Sequence, residues 1–463
     1  MTELDRPLRV AIIGSGPSGF YAAGHLLKQA GRPVEVDVYD RLPTPWGLVR
    51  GGVAPDHPKI KSVTRVYEKT ALQPGFRFFG NIEVGRDVSQ EDLAAWYDAV
   101  LYAVGTSGDK KSGIPGEDLP GSVSATEFVG WYNGHPDYRD LDFDLSGERA
   151  VVIGNGNVAV DVARMLTLTH DELAVTDVAD HALEVLDASS ITEIVVLGRR
   201  GPEQAAFTNP ELLELGELLD ADVVVDPADL DVPEELREDE LEPTARRNVE
   251  ILREYAQRAP SGKRKRVVLR FLSSPVEILG DGRVEAVKVV RNELVRDERG
   301  GLRAKATGET EVIEAGIVLR AIGYTGTPLP GVPFDAARGL IPHEDGRIVD
   351  DHGPVQGAYV AGWIKRGPSG VIGTNKKCAQ ETVDALLEDL EAGKLDLAAE
   401  RPTAEEVVER LVERQPHLVD YEGWQSIDRH EKGLGEPQGR PRVKLTRVQE
   451  LLDAAVAAAA ARD

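Results

Sequence analysis

The sequence predicts an α/β protein made of two three-layer domains with parallel sheets, one inserted into the other. Three observations predict it. First, Leu8 to Ile13 is a continuous apolar run, as a strand buried on both faces requires. It leads into Gly14-Ser-Gly16-Pro-Ser-Gly19, then a helical stretch from Phe20 to Gln29 and a second strand, Val34 to Tyr39, ending at Asp40. Second, the same order recurs at Ala150 to Ile153, Gly154-Asn-Gly156-Asn-Val-Ala159, a helix through Met165 and a strand from Ile194 to Leu197. Third, Ala103-Val-Gly105-Thr and Ala321-Ile-Gly323-Tyr mark two crossings of the chain. They place one domain at 1–108 and 325–463 and the other at 109–324.

Between the repeated units, Thr167 to Ser190 reads as an acidic, partly helical insertion, and Asp220 to Thr244 as an acidic, proline-punctuated surface loop. Strands are expected at Val267–Phe271, Val276–Ile278, Val284–Val290 and Ile317–Ala321, with a hairpin turn at Gly280-Asp-Gly282. Beyond Pro402, amphipathic helical patterns cover Ala404 to Arg414 and Arg447 to Ala460, and the alanine-rich end is expected to fray.

Composition narrows the chemistry. With 463 residues and a net charge of −25, non-specific nucleic-acid binding is disfavoured and local clusters of positive charge become informative. Cys378 is the one cysteine, which excludes a disulfide framework, a redox cysteine pair or a cysteine-ligated cluster within the chain. No metal site is expected. No apolar run approaches the ~20 residues that span a bilayer, and Met1 to Arg9 carries no signal-peptide pattern. The expectation is a cytoplasmic protein with no membrane insertion.

A lone GxGxxG is weak evidence. Here it follows a buried strand, opens a helix and precedes an acidic residue 21 positions beyond Gly19. That context is the dinucleotide-binding fingerprint of Rossmann-like domains. Gly14 permits the tight turn, Gly16 lets the backbone approach the pyrophosphate, and Gly19 allows close helix–strand packing. Asp40 accepts from ribose hydroxyls. The fingerprint alone leaves FAD and NAD both open. In the second copy, Gly154, Gly156 and Ala159 repeat the loop, but the next strand ends in Gly198-Arg199-Arg200. A carboxylate there would repel a 2′-phosphate, whereas guanidinium groups pair with it, so NADP is expected in preference to NAD.

Three long segments resemble one family. Leu42-Pro-Thr-Pro-Trp-Gly-Leu-Val-Arg-Gly-Gly-Val-Ala-Pro-Asp-His-Pro-Lys-Ile-Lys61, Gly198-Arg-Arg-Gly-Pro-Glu-Gln-Ala-Ala-Phe-Thr208 and Gly362-Trp-Ile-Lys-Arg-Gly-Pro-Ser-Gly-Val-Ile372 resemble ferredoxin–NADP reductases of the adrenodoxin-reductase type, above all the bacterial ones. The likeness runs on to Gly439-Arg-Pro-Arg-Val-Lys444. It assigns FAD to the first site, with contacts at Ser18, Asp40, Leu48, Val84, Trp363, Gly370, Val371 and Ile372. It implies NADP contacts at Asn155, Gly156, Asn157, Val158, Arg199, Arg200, Glu211 and Gly370. Asp40 stands where members often carry Glu, which shortens the arm toward the ribose. The implied activity is hydride transfer from NADPH to non-covalent FAD, then single-electron transfer to an acidic ferredoxin-type iron–sulfur protein, itself serving a cytochrome P450.

The protein's task in that chemistry is position and electrostatics, since the cofactors carry the electrons. Gly370 would let the nicotinamide come close, and Trp363 offers an aromatic wall, though core packing is an equally simple role for it. His57 and Glu211 correspond to family positions near the two rings, with Asp161 a further candidate for proton handling or structure. Arg50, Lys59, Lys61, Arg65, Arg246, Arg247, Ser261 to Arg266 and Lys376-Lys377 are the basic clusters that could steer an acidic partner. Phe128-Val-Gly130-Trp-Tyr-Asn-Gly134-His135 nearly matches the FxGxxxHxxxW motif of Baeyer–Villiger monooxygenases, but its histidine is displaced by one position and no Trp follows. Disulfide reductases and glutamate-synthase-like subunits need cysteines the chain lacks.

Overall fold

In the computed structural model, residues 6–231, 241–298, 301–398 and 401–460 are described. The chain folds into two compact units. The first comprises 1–53, 57–109 and 323–463, and the second 54–56 and 110–322. The crossings read from the sequence put residues 54–56 in the first unit. They group instead with the second, because the Asp56 carboxylate is held in two hydrogen bonds by Arg164, at 2.7 and 3.0 Å.

The first unit is built on a seven-stranded sheet in the order His343–Glu344, Arg347–Asp350, Gly353–Val360, Ala99–Tyr102, Leu8–Ile13, Val34–Tyr39, Phe76–Phe79. Its five-strand body is parallel, with the antiparallel hairpin at one edge. Leu8–Ile13 is central and buried along its whole length, as its unbroken apolar run requires. The helices Pro17–Gln29 and Ile372–Glu391 pack on each other over one face. On the other face Ala11, Ile13, Tyr39 and Val100 meet Trp96, Tyr97 and the helix Ala404–Arg414.

The second unit has a six-stranded parallel sheet, in the order Ser122–Ser124, Ile317–Arg320, Arg149–Ile153, Glu193–Leu197, Lys265–Arg270, Ala221–Val225. A three-stranded antiparallel sheet, Ser273–Leu279, Ala286–Arg296 and Leu302–Glu314, covers one side of it. The hairpin at Gly280–Gly282 forms as expected. Leu302–Glu314 escaped the pattern because it is largely exposed and reads as charge, Gly and Thr. The 220–244 stretch is not a loop at its start: Ala221–Val225 is an edge strand, since three consecutive valines outweigh the flanking acids. Residues 232–240 of that stretch, and 461–463 of the alanine-rich end, lie outside the described residues.

The tail beyond 402 locks onto the segment after the first phosphate loop. Glu431 is fully buried and accepts from Arg50 at 2.8 and 2.5 Å, from Arg442 at 3.0 Å and from the Leu445 N–H at 2.9 Å. Lys444 donates to the Arg50 carbonyl at 3.2 Å, and Trp424 packs edge-on against Trp46 at 4.8 Å between ring centroids. Burial alone would raise the Glu431 pKa. The charges and hydrogen bonds of Arg50 and Arg442 more than reverse this, so the folded pKa is lowered. The stability this group contributes is therefore present above the ordinary carboxyl range and lost as pH falls through the folded value. We expect Glu431→Gln, which removes the buried charge shared by the half-buried Arg50 and Arg442, to cost about 3–5 kcal/mol at neutral pH. In denaturant titrations its deficit relative to the parent should shrink on acidification below about pH 4.

Candidate functional site

The two glycine turns are built alike. Gly14 has φ +106°, and a Cβ placed on it would lie 2.5 Å from the Ala103 carbonyl oxygen. Gly154 has φ +129°, with its missing Cβ 2.3 Å from the Ala321 carbonyl oxygen. Each turn thus passes over the end of the neighbouring strand with no room for a side chain, and each helix begins at once, at Pro17 and at Asn157. Among the described residues neither helix receives a side-chain cap, so the first N–H groups stay available to an anion.

In the first unit, Asp40 lies where the fingerprint expects it. Its carboxylate accepts from the Ser15 N–H at 3.1 Å, the Ser15 hydroxyl and the Leu42 N–H at 3.0 Å. Burial raises its pKa despite these bonds. A carboxylate offers about four lone-pair sites, so three internal partners leave one for a ribose hydroxyl. Asp40 therefore also fixes its own phosphate loop, a role the spacing did not reveal. Ser18 is buried and donates to the Asn375 side-chain oxygen at 3.0 Å, and a Cβ on Gly362 would fall 2.3 Å from the Ser18 hydroxyl. Residues more than 340 positions apart, Ser18 and Gly362, are thereby in contact. Trp363 opens the short helix Trp363–Arg366 and stacks on Tyr324 at 5.6 Å, while its buried indole N–H has no partner among the described residues. Gly370, with φ +79°, and the exposed Val371 precede the helix that starts at Ile372. Leu48 is half-exposed on the short helix Leu48–Gly51, and Val84 is buried. Glycine-lined turns, an uncapped helix start, a lone acceptor and an orphaned indole N–H fit a dinucleotide such as FAD.

In the second unit, Asn155, Gly156, Asn157 and Val158 are half-buried around the start of the helix Asn157–Met165. The Asn155 carbonyl accepts from the Ala206 N–H at 3.0 Å and the Asn157 side chain from the Thr208 N–H at 2.8 Å. The 201–208 segment is thus tied to the loop. A Cβ on Gly198 would lie 2.7 Å from the Asn155 amide nitrogen, so the Arg199-Arg200 turn stands beside the phosphate loop. Arg199 is exposed, Arg200 half-buried, and among the described residues no carboxylate pairs with either guanidinium. Two uncompensated cations at the strand end fit a 2′-phosphate.

Asp161 and Glu211 meet on a residue that no motif singles out. Arg164 is 2% exposed, and its guanidinium donates to Asp161 at 3.1 Å, Glu211 at 3.2 Å, Glu214 at 2.9 Å and Asp56 as described above. Burial opposes its charge, and the bond to Asp56 with the surrounding carboxylates more than restores it, raising its pKa. The sequence does carry a signal for Arg164: an arginine among Val160, Val162, Ala163 and Met165, on the buried face of the helix. His57 belongs to the first unit, is buried, and precedes the short helix Pro58–Lys61. Gly370 likewise lies in the first unit.

Several basic residues expected to steer a partner are already committed. Arg50 is spent on Glu431, Arg264 on Asp220, Arg266 on Glu193 and Arg247 on Glu250 and Glu254. Lys263 reaches the Leu218 carbonyl, and Lys265 is buried and caps the Leu166 carbonyl. Lys59, Arg65 and Lys376 remain exposed, with no ion pair among the described residues. The monooxygenase-like stretch is packing: in the core Phe128 stacks on Trp131 and meets Tyr132 edge-on, and His135 caps the turn Pro136–Tyr138.

Residues 8–196 match the model of the family described as pyridine nucleotide-disulphide oxidoreductase. The chain is 52% identical to the NADPH-ferredoxin reductase FprA of Mycobacterium leprae (strain TN), over 96% of this chain and 97% of the relative. It is 41% identical to the mitochondrial NADPH:adrenodoxin oxidoreductase of Salvelinus fontinalis, over 96% of this chain and 91% of the relative. The chain belongs to the adrenodoxin-reductase-type ferredoxin–NADP reductase family. Among solved structures of the family, Mycobacterium tuberculosis FprA in complex with NADPH superposes with a TM-score of 0.92 at 52% identity, covering 97% of this chain and all of that one. The disulphide in the broader family's description has no counterpart here, because Cys378 is the only cysteine and is buried.

Gly154→Ala should abolish or strongly weaken NADP⁺ binding, since both φ and space forbid a Cβ. The flavin absorbance of the purified variant should be unchanged. Absorbance titration with NADP⁺ checks both.

Proposed function

We propose that the chain is an NADPH:ferredoxin oxidoreductase, a flavoenzyme that takes a hydride from NADPH and delivers single electrons to a ferredoxin-type iron–sulfur protein. The observation that carries this is the second glycine loop set beside Arg199-Arg200, two cations with no carboxylate partner among the described residues. It selects a phosphorylated nicotinamide nucleotide as the electron donor. The first loop, with Asp40 and the Ser18–Gly362 contact, holds FAD. The chemistry bound FAD supplies is acceptance of a hydride and release of its two electrons one at a time.

This chain's residues do the rest. The uncapped helix starts at Pro17 and Asn157 bind the two pyrophosphates, and the orphaned Trp363 N–H is a donor waiting at the flavin side. Contacts at Leu48, Val84 and Gly370 to Ile372 complete the proposed flavin site, and Asn155 to Val158, Arg199, Arg200 and Glu211 the nucleotide site, with Gly370 common to both. Asp161, Glu211 and His57 are the proposed proton-handling groups. Arg164 ties the first two together by hydrogen bonds from its guanidinium. With a single buried cysteine, electrons leave for a separate protein. We propose that this partner is acidic, steered by Lys59, Arg65 and Lys376, and that it serves a cytochrome P450 in the cytoplasm. Among the described residues no helix is long and apolar enough to cross a membrane.

Stopped-flow mixing with NADPH should bleach the flavin. A flavin that stays oxidised while NADPH binds would sink the reductase reading. Ferredoxin reduction should slow as salt rises, and Lys59→Glu with Arg65→Glu should remove most of that salt dependence. Reduction of quinones or dyes alone, with every ferredoxin inert, would reduce the activity to that of a diaphorase.

A further inference from the structure

The turn that carries Arg199 and Arg200 is held by its three carbonyls. The Gly198 carbonyl accepts from the Ser273 N–H at 3.0 Å, and the Arg200 carbonyl from the Leu272 N–H at 3.0 Å. Both donors are backbone groups, and Leu272 takes a left-handed conformation, φ +51°, to present its N–H. The Arg199 carbonyl between them accepts from a side chain instead, the Asn292 amide, at 2.8 Å. That amide also donates to the Ser274 hydroxyl at 2.8 Å, and the Asn292 N–H donates to the Leu272 carbonyl at 2.7 Å.

Asn292 has no local reason to be where it is. Asn is disfavoured in strands, and this one lies 5% exposed inside Ala286–Arg296, where burying an amide costs free energy unless it is bonded. The pairing of that strand with Leu302–Glu314 shifts register between Val290 and Asn292. Such an irregularity redirects a side chain. Here the redirected side chain reaches the carbonyl whose peptide plane joins Arg199 to Arg200. Because a peptide unit is planar, fixing that oxygen while the Gly198 and Arg200 carbonyls are also held fixes the torsions on either side of it, and so the direction in which both arginine side chains leave the backbone.

We propose that Asn292 is a specificity-positioning residue, which aims the Arg199 and Arg200 guanidinium groups at the 2′-phosphate of NADP(H). The inference rests on the reading of that strand end as the 2′-phosphate site. Asn292 itself makes no contact with the nucleotide. It lowers the ordering cost of two long side chains by fixing their common base.

The test titrates the FAD-loaded enzyme with NADP⁺ and NAD⁺, and with adenosine 2′,5′-bisphosphate against 5′-AMP. Asn292→Ala should weaken NADP⁺ and the bisphosphate about tenfold, the scale of one buried hydrogen bond. NAD⁺ and 5′-AMP should change by less than about twofold. Ser274→Ala takes away the amide's other acceptor but spares the Arg199 bond, so it should keep the parent ratio. Should Asn292→Ala fail to fold, Asn292→Asp keeps the shape but presents an acceptor to the Arg199 carbonyl, and should lose selectivity likewise. Equal weakening of both nucleotides, or no weakening, overturns the inference. Arg200→Ala separates the levels. If it too leaves the NADP⁺-to-NAD⁺ ratio unchanged, the phosphate-site reading itself falls. If it shifts the ratio while Asn292 variants do not, only the role of Asn292 is lost.

Discussion

Both units depend on one close approach. In each, the first glycine of the phosphate loop passes over the carbonyl at the end of an adjacent strand, at Ala103 in one and Ala321 in the other. No residue with a side chain fits either position. The approach sets where the helix starts, and so where its unbonded N–H groups gather. It also explains why both loops share the order glycine, polar residue, glycine, while the helices behind them differ freely. On the proposed reading, nucleotide binding follows from backbone shape, and the choice of nucleotide is left to what stands at the end of the next strand.

That division explains what could be read in the sequence. The strands Leu8–Ile13 and Arg149–Ile153 are legible because a strand covered on both faces must be apolar throughout, and the glycines because nothing else fits them. Arg199-Arg200 is legible as a departure from the acidic residue at Asp40. Less legible is anything whose meaning depends on a distant partner. Arg50 reads as a surface cation until Glu431 is found beside it, and Arg266 until Glu193 is. Asp40 reads as a ribose ligand, and its bonds to Ser15 emerge only in three dimensions.

Arg164 is the sharpest case of a signal that is present but easily overlooked. A guanidinium in the buried stripe of a helix must have partners, because an isolated buried charge is too costly to keep. Its partners here are four carboxylates from three separate stretches of chain, and two of them are candidates from the sequence, Glu211 through the family resemblance and Asp161 beside it. The resemblance brings the acids forward, while the cation that holds them is hidden by the apolar periodicity around it. Exposed strands fail for the opposite reason: Leu302–Glu314 has no buried face to impose a pattern.

The contact between Arg50 and Glu431 also bears on how the chain assembles during synthesis. The segment that turns back over the first phosphate loop is among the earliest made, and the residue that neutralises its arginine lies 381 positions later. The antiparallel hairpin and the strand Gly353–Val360 that complete the same sheet are late as well. The second unit, apart from residues 54–56, is one continuous stretch from 110 to 322 and can close while the first still waits for its other half. All of the inserted unit has thus been made by residue 322, whereas the domain that begins the chain cannot be sealed until its last segment, 323–463, has been made.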